Sequence, residues 1–411
     1  MEINLRLDSL ESAWEYPEDS SAFLAGWSTI SITPKNQVPL AGYGTRDPKE
    51  LAGIHDSSFV KTIILKTEKT KLAIISADLL IIHPELSKRV YQKLPEEWNK
   101  NEIYFTATHT HSGQGAWAPG VVGELFAGPF DEETITSLSS RIVESVVRAE
   151  QSADTAALSF GELDAGDLVY NRLVKEQGII DPWLKILQIK KKNETGIVSF
   201  FSAHATCLNH ENRLLTGDFP SYYTQLLQNQ RSIDFAAYAA GAVGSMGPVI
   251  QSRDFAAAKN IAEKLAEQTN LLRMLKPGPI SSSSLISFQL KLPMRSPRVK
   301  ISKNLAIRPY WFEKLFGTYN HHLSIVKVGQ NLFIGLPCDF SGELAVPLYQ
   351  YARAKGLNLV LTSFNGDYIG YVIKDEWYDL PKYEARTMSW YGPDAGSYLS
   401  EIIKRIIDIV Q

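Results

Sequence analysis

The sequence is poor in cysteine and lacks both a long apolar run and a strong excess of one charge. Two cysteines among 411 residues, Cys207 and Cys338, cannot build a disulfide framework, and they favour a reducing compartment or simple burial. A net charge of −3 with dispersed basic residues argues against nucleic acid or an anionic membrane surface as partner. The apolar run 72–82 is interrupted by Ser76 and Asp78 and is too short to span a bilayer.

The first residues carry acidic side chains throughout and no apolar signal core, so we expect a cytoplasmic protein. With 44% hydrophobic and 21% charged residues, the chain has the composition of an ordinary globular protein. We predict an irregular N-terminal arm over 1–25 and a single domain over 26–411. The proline- and serine-rich segment 276–284 is the candidate for an internal boundary.

Short β-branched runs alternate with amphipathic segments from Trp27 onward, which predicts an α/β fold. The predicted strands are 27–33, 59–66, 72–77, 103–107, 184–190, 197–202, 234–239 and 359–363. The predicted helices are 83–94, 131–151, 220–228, 255–268, 342–353 and 393–410. Residues 329–331 read as the turn of a further hairpin, so we expect a mixed sheet with flanking helices.

Polar residues that could take part in catalysis or bind a metal follow the ends of several apolar strands. They are Asp78, His109, His111, His204, Asp339 and Asp367. In open α/β sheets the carboxyl ends of the strands form the rigid edge at which sites are built. We therefore expect the active site at this edge of the sheet.

The stretch His109-Thr110-His111-Ser112-Gly113 is the most informative motif. Two histidines at i and i+2 can share one face, so one could bind a metal while the other faces a substrate. The alternative is a pair of polar loop residues without a metal, since this spacing alone is a weak signal. His204 follows another apolar strand and could equally be a buried histidine satisfied by the backbone. Because zinc needs ligands from separate elements, the two strand ends together favour a metal site.

Several motifs resemble the catalytic domain of neutral ceramidases. They are ATHTHSG, a strand ending in His204 with Gly217-Asp218 downstream, LPCDFSGELA, GYVIKDEWYDLPKYEARTMSWYGP, PLAGYGTR and GIHDSSFVKTIIL. The matches are spread over residues 26 to 400 and keep the order they have in the family. The resemblance therefore covers a catalytic domain, over 26–411.

The resemblance implies a zinc-dependent hydrolase that cleaves the amide bond of a small N-acyl substrate, either a lipid-like molecule such as a ceramide or another N-acyl compound. It implies one zinc ion per chain, with ligands from His109, His204, Asp339 and Tyr371. His111 would face the scissile bond, and Tyr383 and Arg172 would position or polarise the substrate. A metal-activated water would attack, and the site would stabilise the oxyanion and protonate the leaving amine.

Two departures from the family pattern bear on this scheme. The carboxylate is usually glutamate, so the shorter Asp339 requires a closer backbone or an intervening water. The family's Gly-Asp-Val-Ser-Pro segment is present only loosely, as residues 241–245, with Ala242 in place of the aspartate.

Further residues are candidates for supporting roles. Asp218 and Asp78 could orient the imidazoles, or they could be structural caps. Four tryptophans could line an acyl pocket, or they could belong to the core; these are Trp117, Trp311, Trp377 and Trp390.

Three rival functions remain at this point. A metal-free serine hydrolase could use Ser245, although Val243 breaks the Gly-x-Ser-x-Gly spacing. A catalytically inactive homologue could keep the scaffold and only bind a ligand. A related zinc hydrolase could act on an ester or lactone.

Overall fold

The computed structural model describes residues 2–13, 22–47, 49–280, 284–302, 305–317 and 319–411. Within these residues the helices are α1 (Glu2–Ala13), α2 (Pro84–Lys93), α3 (Val121–Ala127), α4 (Glu132–Gln151), α5 (Asp218–Gln228), α6 (Phe255–Met274), α7 (Pro309–Phe316), α8 (Gly342–Ala354), α9 (Tyr383–Arg386) and α10 (Ala395–Val410).

The longer strands belong to two sheets. They are β1 (Phe23–Ser31), β3 (Phe59–Lys66), β4 (Lys71–Ala77), β5 (Ile103–Ala107), β6 (Asp154–Asp164), β8 (Trp183–Lys190), β9 (Thr195–Phe201), β11 (Phe235–Ala240), β14 (Leu285–Lys291), β17 (His322–Val328), β18 (Asn331–Leu336) and β20 (Asn358–Ser363). The short strands are β2 (Gly53–Ile54), β7 (Val169–Asn171), β10 (Leu214–Leu215), β12 (Met246–Pro248), β13 (Gly278–Pro279), β15 (Lys300–Ser302), β16 (Leu305–Ala306), β19 (Asp339–Phe340) and β21 (Tyr371–Val372).

The two sheets are both mixed. The larger has the strand order β11-β9-β8-β6-β1-β3-β4-β5, with β13 added beside β6, and the smaller has the order β14-β17-β18-β20. Side chains from both sheets share one apolar core, to which Phe23, Leu65, Phe200, Phe333 and Val360 belong. A second and larger core joins the outer faces of the sheets to the helices. The predicted α/β fold with a mixed sheet and flanking helices is confirmed.

Helix α4 illustrates how the sequence builds the outer layer. Ile135, Leu138, Ile142 and Val146 are buried at helical spacing along one face. Asp131 caps the helix by accepting from the backbone N–H of Thr134 at 2.7 Å. None of the helices within the described residues is long and apolar enough to cross a membrane.

The larger sheet curls so that its two end strands, β5 and β11, approach each other. Ser76 at the end of β4 donates to the carbonyl of Tyr238 on β11 at 2.5 Å, which ties the two ends together. Strand β11 is parallel to β9, and β18 is parallel to β20. The carboxyl ends of these strands therefore lead to one region, where the predicted site residues lie.

The predicted irregular arm over 1–25 is wrong at both ends. Residues 2–13 form helix α1, in which Leu7 and Leu10 are buried, and Asp8 pairs with Arg405 of α10 at 3.1 Å. Strand β1 starts at Phe23. The helix escaped prediction because its apolar residues are sparse and find their partners only in the tertiary structure. The remaining part of the arm, 14–21, lies outside the described residues.

In the candidate boundary 276–284, Gly278–Pro279 pairs with β6 of the larger sheet and β14 of the smaller sheet follows at Leu285. The segment therefore carries the chain from one sheet to the other, although 281–283 lie outside the described residues. The division into domains stays a prediction. Strands β6 and β14 were not predicted: in β6 the buried residues alternate only over Ala156, Leu158 and Phe160, and in β14 only Leu285 and Leu290 are buried.

Candidate metal centre

His109 stands two residues beyond the end of β5 and has a left-handed backbone with φ 62°. This conformation is uncommon outside glycine, and a fold maintains it only where the surroundings enforce it. The Nδ1 atom of His109 lies 2.7 Å from the carbonyl oxygen of Leu80. Because a carbonyl only accepts, Nδ1 carries the proton, and the neutral ring presents an unprotonated Nε2 to the centre.

His204 follows β9 and is fully buried. Its Nδ1 donates to the carbonyl of Val243 at 2.9 Å, so its Nε2 is also unprotonated in the neutral ring. The two Nε2 atoms lie 2.8 Å apart. Two lone pairs at this distance repel each other, and a cation between them removes the repulsion. The arrangement can therefore hold a metal ion.

His111 completes a group of three imidazoles. Its Nε2 lies 3.3 Å from that of His109, and the ligand atoms of His109, His111 and His204 all lie within 4.8 Å of one another. The Nδ1 of His111 is buried and has no hydrogen-bond partner within the part of the chain that the structure describes. Burial lowers the pKa of His111 well below its usual value, and His109, Arg172 and Arg46 lower it further. The ring is therefore neutral at pH 7.

Asp339 brings a carboxylate to the two facing imidazoles. Its Oδ1 lies 3.3 Å from the Nε2 of His109 and 3.7 Å from that of His204. Tyr368 donates to the other oxygen at 2.7 Å, whereas no described residue forms a hydrogen bond with the buried Oδ1. The short side chain reaches the centre because the backbone is close to Gly244, where an added Cβ would lie 2.4 Å from the carbonyl oxygen of Asp339.

Tyr371 borders the same centre from β21, which pairs with β19 at Asp339. Its hydroxyl oxygen lies 3.3 Å from the Nε2 of His204 and accepts from Arg172 at 3.0 Å. Burial and the charge of Asp339 raise the pKa of Tyr371 well above its usual value, although Arg172 opposes this rise. Without a metal, Tyr371 is therefore a neutral phenol.

Arg172 and Tyr383 lie beside this centre. Burial disfavours the charge of Arg172, but Tyr371, Glu384 and Asp339 raise its pKa above the ordinary value. Glu384 pairs with the guanidinium at 3.4 Å. The ring of Tyr383 lies 6.0 Å from that of Tyr371, and its side chain remains 46% exposed. Tyr383 is thus positioned where an incoming molecule can contact it.

A cavity of about 50 Å³ opens above the imidazoles and has mostly apolar walls. Trp117 and Trp390 line it, together with Phe126 of α3 and Phe316 of α7. Trp311 is instead 54% exposed, and the indole N–H of Trp377 donates to Glu343 at 3.2 Å. Of the four predicted tryptophans, two therefore line the cavity.

The two predicted orienting carboxylates do not contact the imidazoles. Asp218 accepts from the backbone N–H groups of Phe219, Leu208 and Cys207 at 2.6, 3.2 and 3.4 Å. Asp78 accepts from the backbone N–H of Phe59 at 2.8 Å. Both carboxylates stabilise loops, and the carbonyls of the site orient the rings instead.

Ser245 is not placed as a nucleophile. Its hydroxyl is fully buried and shares a hydrogen bond of 2.8 Å with the hydroxyl of Ser341. A catalytic serine needs a base within hydrogen-bond reach. The partner of Ser245 is instead the hydroxyl of Ser341, which is too weak a base for this role. The serine-hydrolase alternative is therefore wrong for this residue.

Three residues beside the candidate metal centre were given no role from the sequence. Tyr368 supports Asp339, Glu384 pairs with Arg172, and His83 lines the cavity. Glu384 directly follows Tyr383, and Tyr368 follows the strand-end residue Asp367, so position along the chain was a usable signal for these two. His83 was placed only at the start of a predicted helix, and nothing in its sequence context points to the cavity.

The donor set fits a divalent metal ion. Two unprotonated imidazole nitrogens and an orphaned carboxylate oxygen converge with separations of 2.8, 3.3 and 3.7 Å. Ligands at about 2.0–2.1 Å from a tetrahedral zinc lie roughly 3.3 Å from one another, which is the middle of this range. The three-histidine group can hold a metal, and the role of each ligand stays a prediction.

The fold and the site together define an α/β protein with a candidate metal centre at the carboxyl edge of its strands. The family model described as neutral/alkaline non-lysosomal ceramidase, N-terminal, matches residues 23–260. The chain belongs to this family. The resemblance predicted from the motifs is thereby confirmed.

Similar proteins include the neutral ceramidases of Pseudomonas aeruginosa and Mycobacterium tuberculosis. The first is 26% identical over 233 residues, which are 52% of this chain and 35% of the relative. The second is 25% identical over 226 residues, or 49% and 34% of the two chains. The matched part therefore spans about a third of the length of these curated relatives.

The crystal structure of the neutral ceramidase from P. aeruginosa has a similar fold. It superposes with a TM-score of 0.82 at 19% identity, over 94% of this chain and 74% of that one. The likeness therefore extends beyond residues 23–260. At this identity it establishes the fold.

Proposed function

We propose that the protein is a zinc-dependent hydrolase that cleaves the amide bond of an N-acylated, ceramide-like substrate. The observation that carries the proposal is the convergence of the unprotonated Nε2 atoms of His109 and His204 on the unpaired Oδ1 of Asp339. The names of the curated relatives support ceramide as the kind of substrate.

His109, His204, Asp339 and Tyr371 would hold the ion. When bound, zinc acts as a Lewis acid that polarises a carbonyl and lowers the pKa of water enough to supply hydroxide as the nucleophile at neutral pH. The backbone acceptors Leu80 and Val243 keep the two imidazoles in the tautomer that a metal requires.

His111 is suited to moving the proton. Its ring is neutral at pH 7, and none of the described residues forms a hydrogen bond with its Nδ1. It can therefore take up a proton as a nucleophile forms and deliver it to the amine nitrogen that leaves.

Tyr383 and Arg172 are suited to binding the oxygen on which negative charge develops. Arg172 retains its charge because Tyr371, Glu384 and Asp339 surround it. Tyr383 lines the cavity with a phenol, which is neutral at pH 7 because a tyrosine ordinarily ionises near pH ~10. Removing one donor of this kind commonly costs about 100- to 1000-fold in rate.

The test begins with elemental analysis of the purified protein, followed by hydrolysis of N-acyl amides of graded chain length. We expect about one zinc per chain, loss of hydrolysis with a chelator and recovery with zinc. His109→Ala and His204→Ala should lower both metal content and rate. His210→Ala is the matched control, because His210 is exposed and lies in the loop that follows His204.

Full activity of His109→Ala would contradict the proposal. Metal binding without hydrolysis of any amide in the series would favour the ligand-binding alternative. Cleavage of the corresponding esters but not of the amides would favour an esterase.

A further inference from the structure

Asp367, a polar residue that follows strand β20, is paired with His321. The Nδ1 atom of His321 lies 2.8 Å from Oδ2 and 3.1 Å from Oδ1 of the carboxylate. Because an ionised carboxylate only accepts, Nδ1 carries the proton, and in the neutral ring Nε2 is an acceptor. The hydroxyl of Tyr391 lies 3.0 Å from Nε2 and can donate to it. The imidazole therefore bridges two segments of the chain, and all three side chains are largely buried.

Asp367 also holds the backbone of a residue that contacts the candidate metal centre. Its Oδ1 accepts from the backbone N–H of Tyr368 at 2.7 Å. The hydroxyl of Tyr368 in turn donates to Oδ2 of Asp339 at 2.7 Å. A continuous set of contacts thus runs from His321 to the carboxylate that we propose as a zinc ligand.

Tyr391 anchors the other side of the imidazole in the wall of the cavity. Its neighbour Trp390 lines the cavity, and the ring of Trp390 lies 5.6 Å from that of Tyr368 in an edge-to-face arrangement. The backbone on this side is itself held, because the carbonyl of Met388 accepts from the backbone N–H of Tyr371 at 2.8 Å. The imidazole is therefore fixed from both sides by segments that belong to the site.

We infer that His321 is a positioning residue, which holds Tyr368 through Asp367 and thereby keeps the carboxylate of Asp339 oriented for the metal. This inference rests on the proposed zinc site and goes beyond it, because it gives a function to a histidine outside the ligand set. Hydrogen-bonded groups around a metal ligand contribute to affinity, since they fix its orientation before the ion binds. Because His321 acts at one remove from Tyr368, its loss should weaken zinc affinity by about 2- to 30-fold.

Competition with a chromogenic chelator measures the zinc affinity of the full chain and its variants. His321→Ala removes both hydrogen bonds of the imidazole and Tyr391→Phe removes one, so both variants should bind zinc more weakly than the native protein. Tyr398→Phe is the matched control, because its hydroxyl donates to the carbonyl of Pro293 at 2.6 Å and it should bind zinc as the native protein does. Native affinity in both His321→Ala and Tyr391→Phe would overturn the inference, even if both variants were less stable.

A double-mutant cycle tests the route by which His321 acts. In a Tyr368→Phe background the hydroxyl that reaches Asp339 is already absent, so His321→Ala should cause little or no further loss of zinc affinity. Losses that add in full would show that His321 acts by another route and would overturn the inference.

Hydrogen–deuterium exchange of the metal-free proteins, followed by mass spectrometry, gives a readout that needs no zinc. We expect faster exchange over 364–371 in His321→Ala than in the native protein or Tyr398→Phe, with exchange over helix α10 unchanged. If the native protein binds no zinc, the proposed function fails, and this exchange alone decides the role of His321. Faster exchange confined to 364–371 supports the inference, whereas unchanged exchange, or faster exchange in α10 as well, overturns it.

Discussion

At the scale of single residues, the centre depends on where protons are placed. His109 and His204 both use Nδ1 to donate to a backbone carbonyl, which leaves two facing Nε2 atoms 2.8 Å apart without a proton between them. Asp339 adds an oxygen that has no hydrogen-bond partner among the described residues, and the hydroxyl of Tyr371 lies 3.3 Å from the Nε2 of His204. This convergence of acceptors is suited to a cation.

The carboxylate of Asp339 should be required for metal retention. We expect Asp339→Asn to lower zinc content well below one per chain, because an amide brings no negative charge. Tyr368→Phe removes only the hydrogen bond to Oδ2 and should weaken zinc affinity by roughly 10- to 100-fold. Competition with a chromogenic chelator measures both effects. Native affinity in Asp339→Asn would exclude this residue as a ligand.

Asp218 should make the stability of the protein depend on pH. Burial raises the pKa of Asp218 from an ordinary value of 3.8 to about 6. The folded state therefore favours the protonated acid, so the contribution of Asp218 to stability falls as the pH rises from about 4 to about 6. Asp218→Asn cannot titrate, and its stability relative to the native protein should increase over this interval by up to about 3 kcal/mol.

Urea unfolding of both metal-free proteins at several pH values measures this difference. Asp218→Asn also loses one acceptor for a backbone N–H. This loss changes the free energy of unfolding of the variant by the same amount at every pH. Parallel curves between pH 4 and pH 6 would show that Asp218 does not titrate in this range.

At the scale of elements, the site depends on close approach between loops. Gly42 has φ 126°, and a Cβ added there would lie 2.5 Å from the Cα of His111. Arg46 in the same loop donates to the carbonyl of His111 at 2.7 Å. The loop after β1 thus supports the backbone of His111, the histidine that we propose to face the substrate.

We expect Gly42→Ala to displace His111 and to lower kcat/KM by at least tenfold, while zinc content is unchanged. Gly356→Ala is the control, because Gly356 also has a positive φ, 77°, but has nothing within 4 Å of an added Cβ. Both variants should lose about 1 kcal/mol or more of stability from backbone strain. Equal activities of the two variants would show that crowding at His111 does not matter.

At the scale of the whole molecule, the candidate ligands come from distant parts of the chain. His109 and His204 follow strands β5 and β9 of the larger sheet, whereas Asp339 and Tyr371 belong to β19 and β21, which form a separate two-stranded sheet. A metal bound by all four would join the larger sheet to this strand pair. Metal binding should therefore be linked to global stability.

Zinc at 100 times its dissociation constant should stabilise the fold by about 2.7 kcal/mol and raise Tm by a few degrees. Differential scanning fluorimetry with and without zinc measures this shift. Asp339→Asn should show a much smaller shift, and an equal shift in that variant would indicate binding elsewhere.

The sequence by itself determined the elements whose pattern is local. Strands 59–66 and 103–107 were predicted at their observed bounds, and helix α4 within one residue, because their burial and caps follow from nearby residues. The motifs also brought out His109, His204 and Asp339, since each follows an apolar strand. Only the tertiary structure decided which atoms these side chains meet. The carbonyls of Leu80 and Val243, the shared hydrogen bond of Ser245 and the entry of His83 into the cavity depend on contacts between segments far apart in the chain, which no local pattern records.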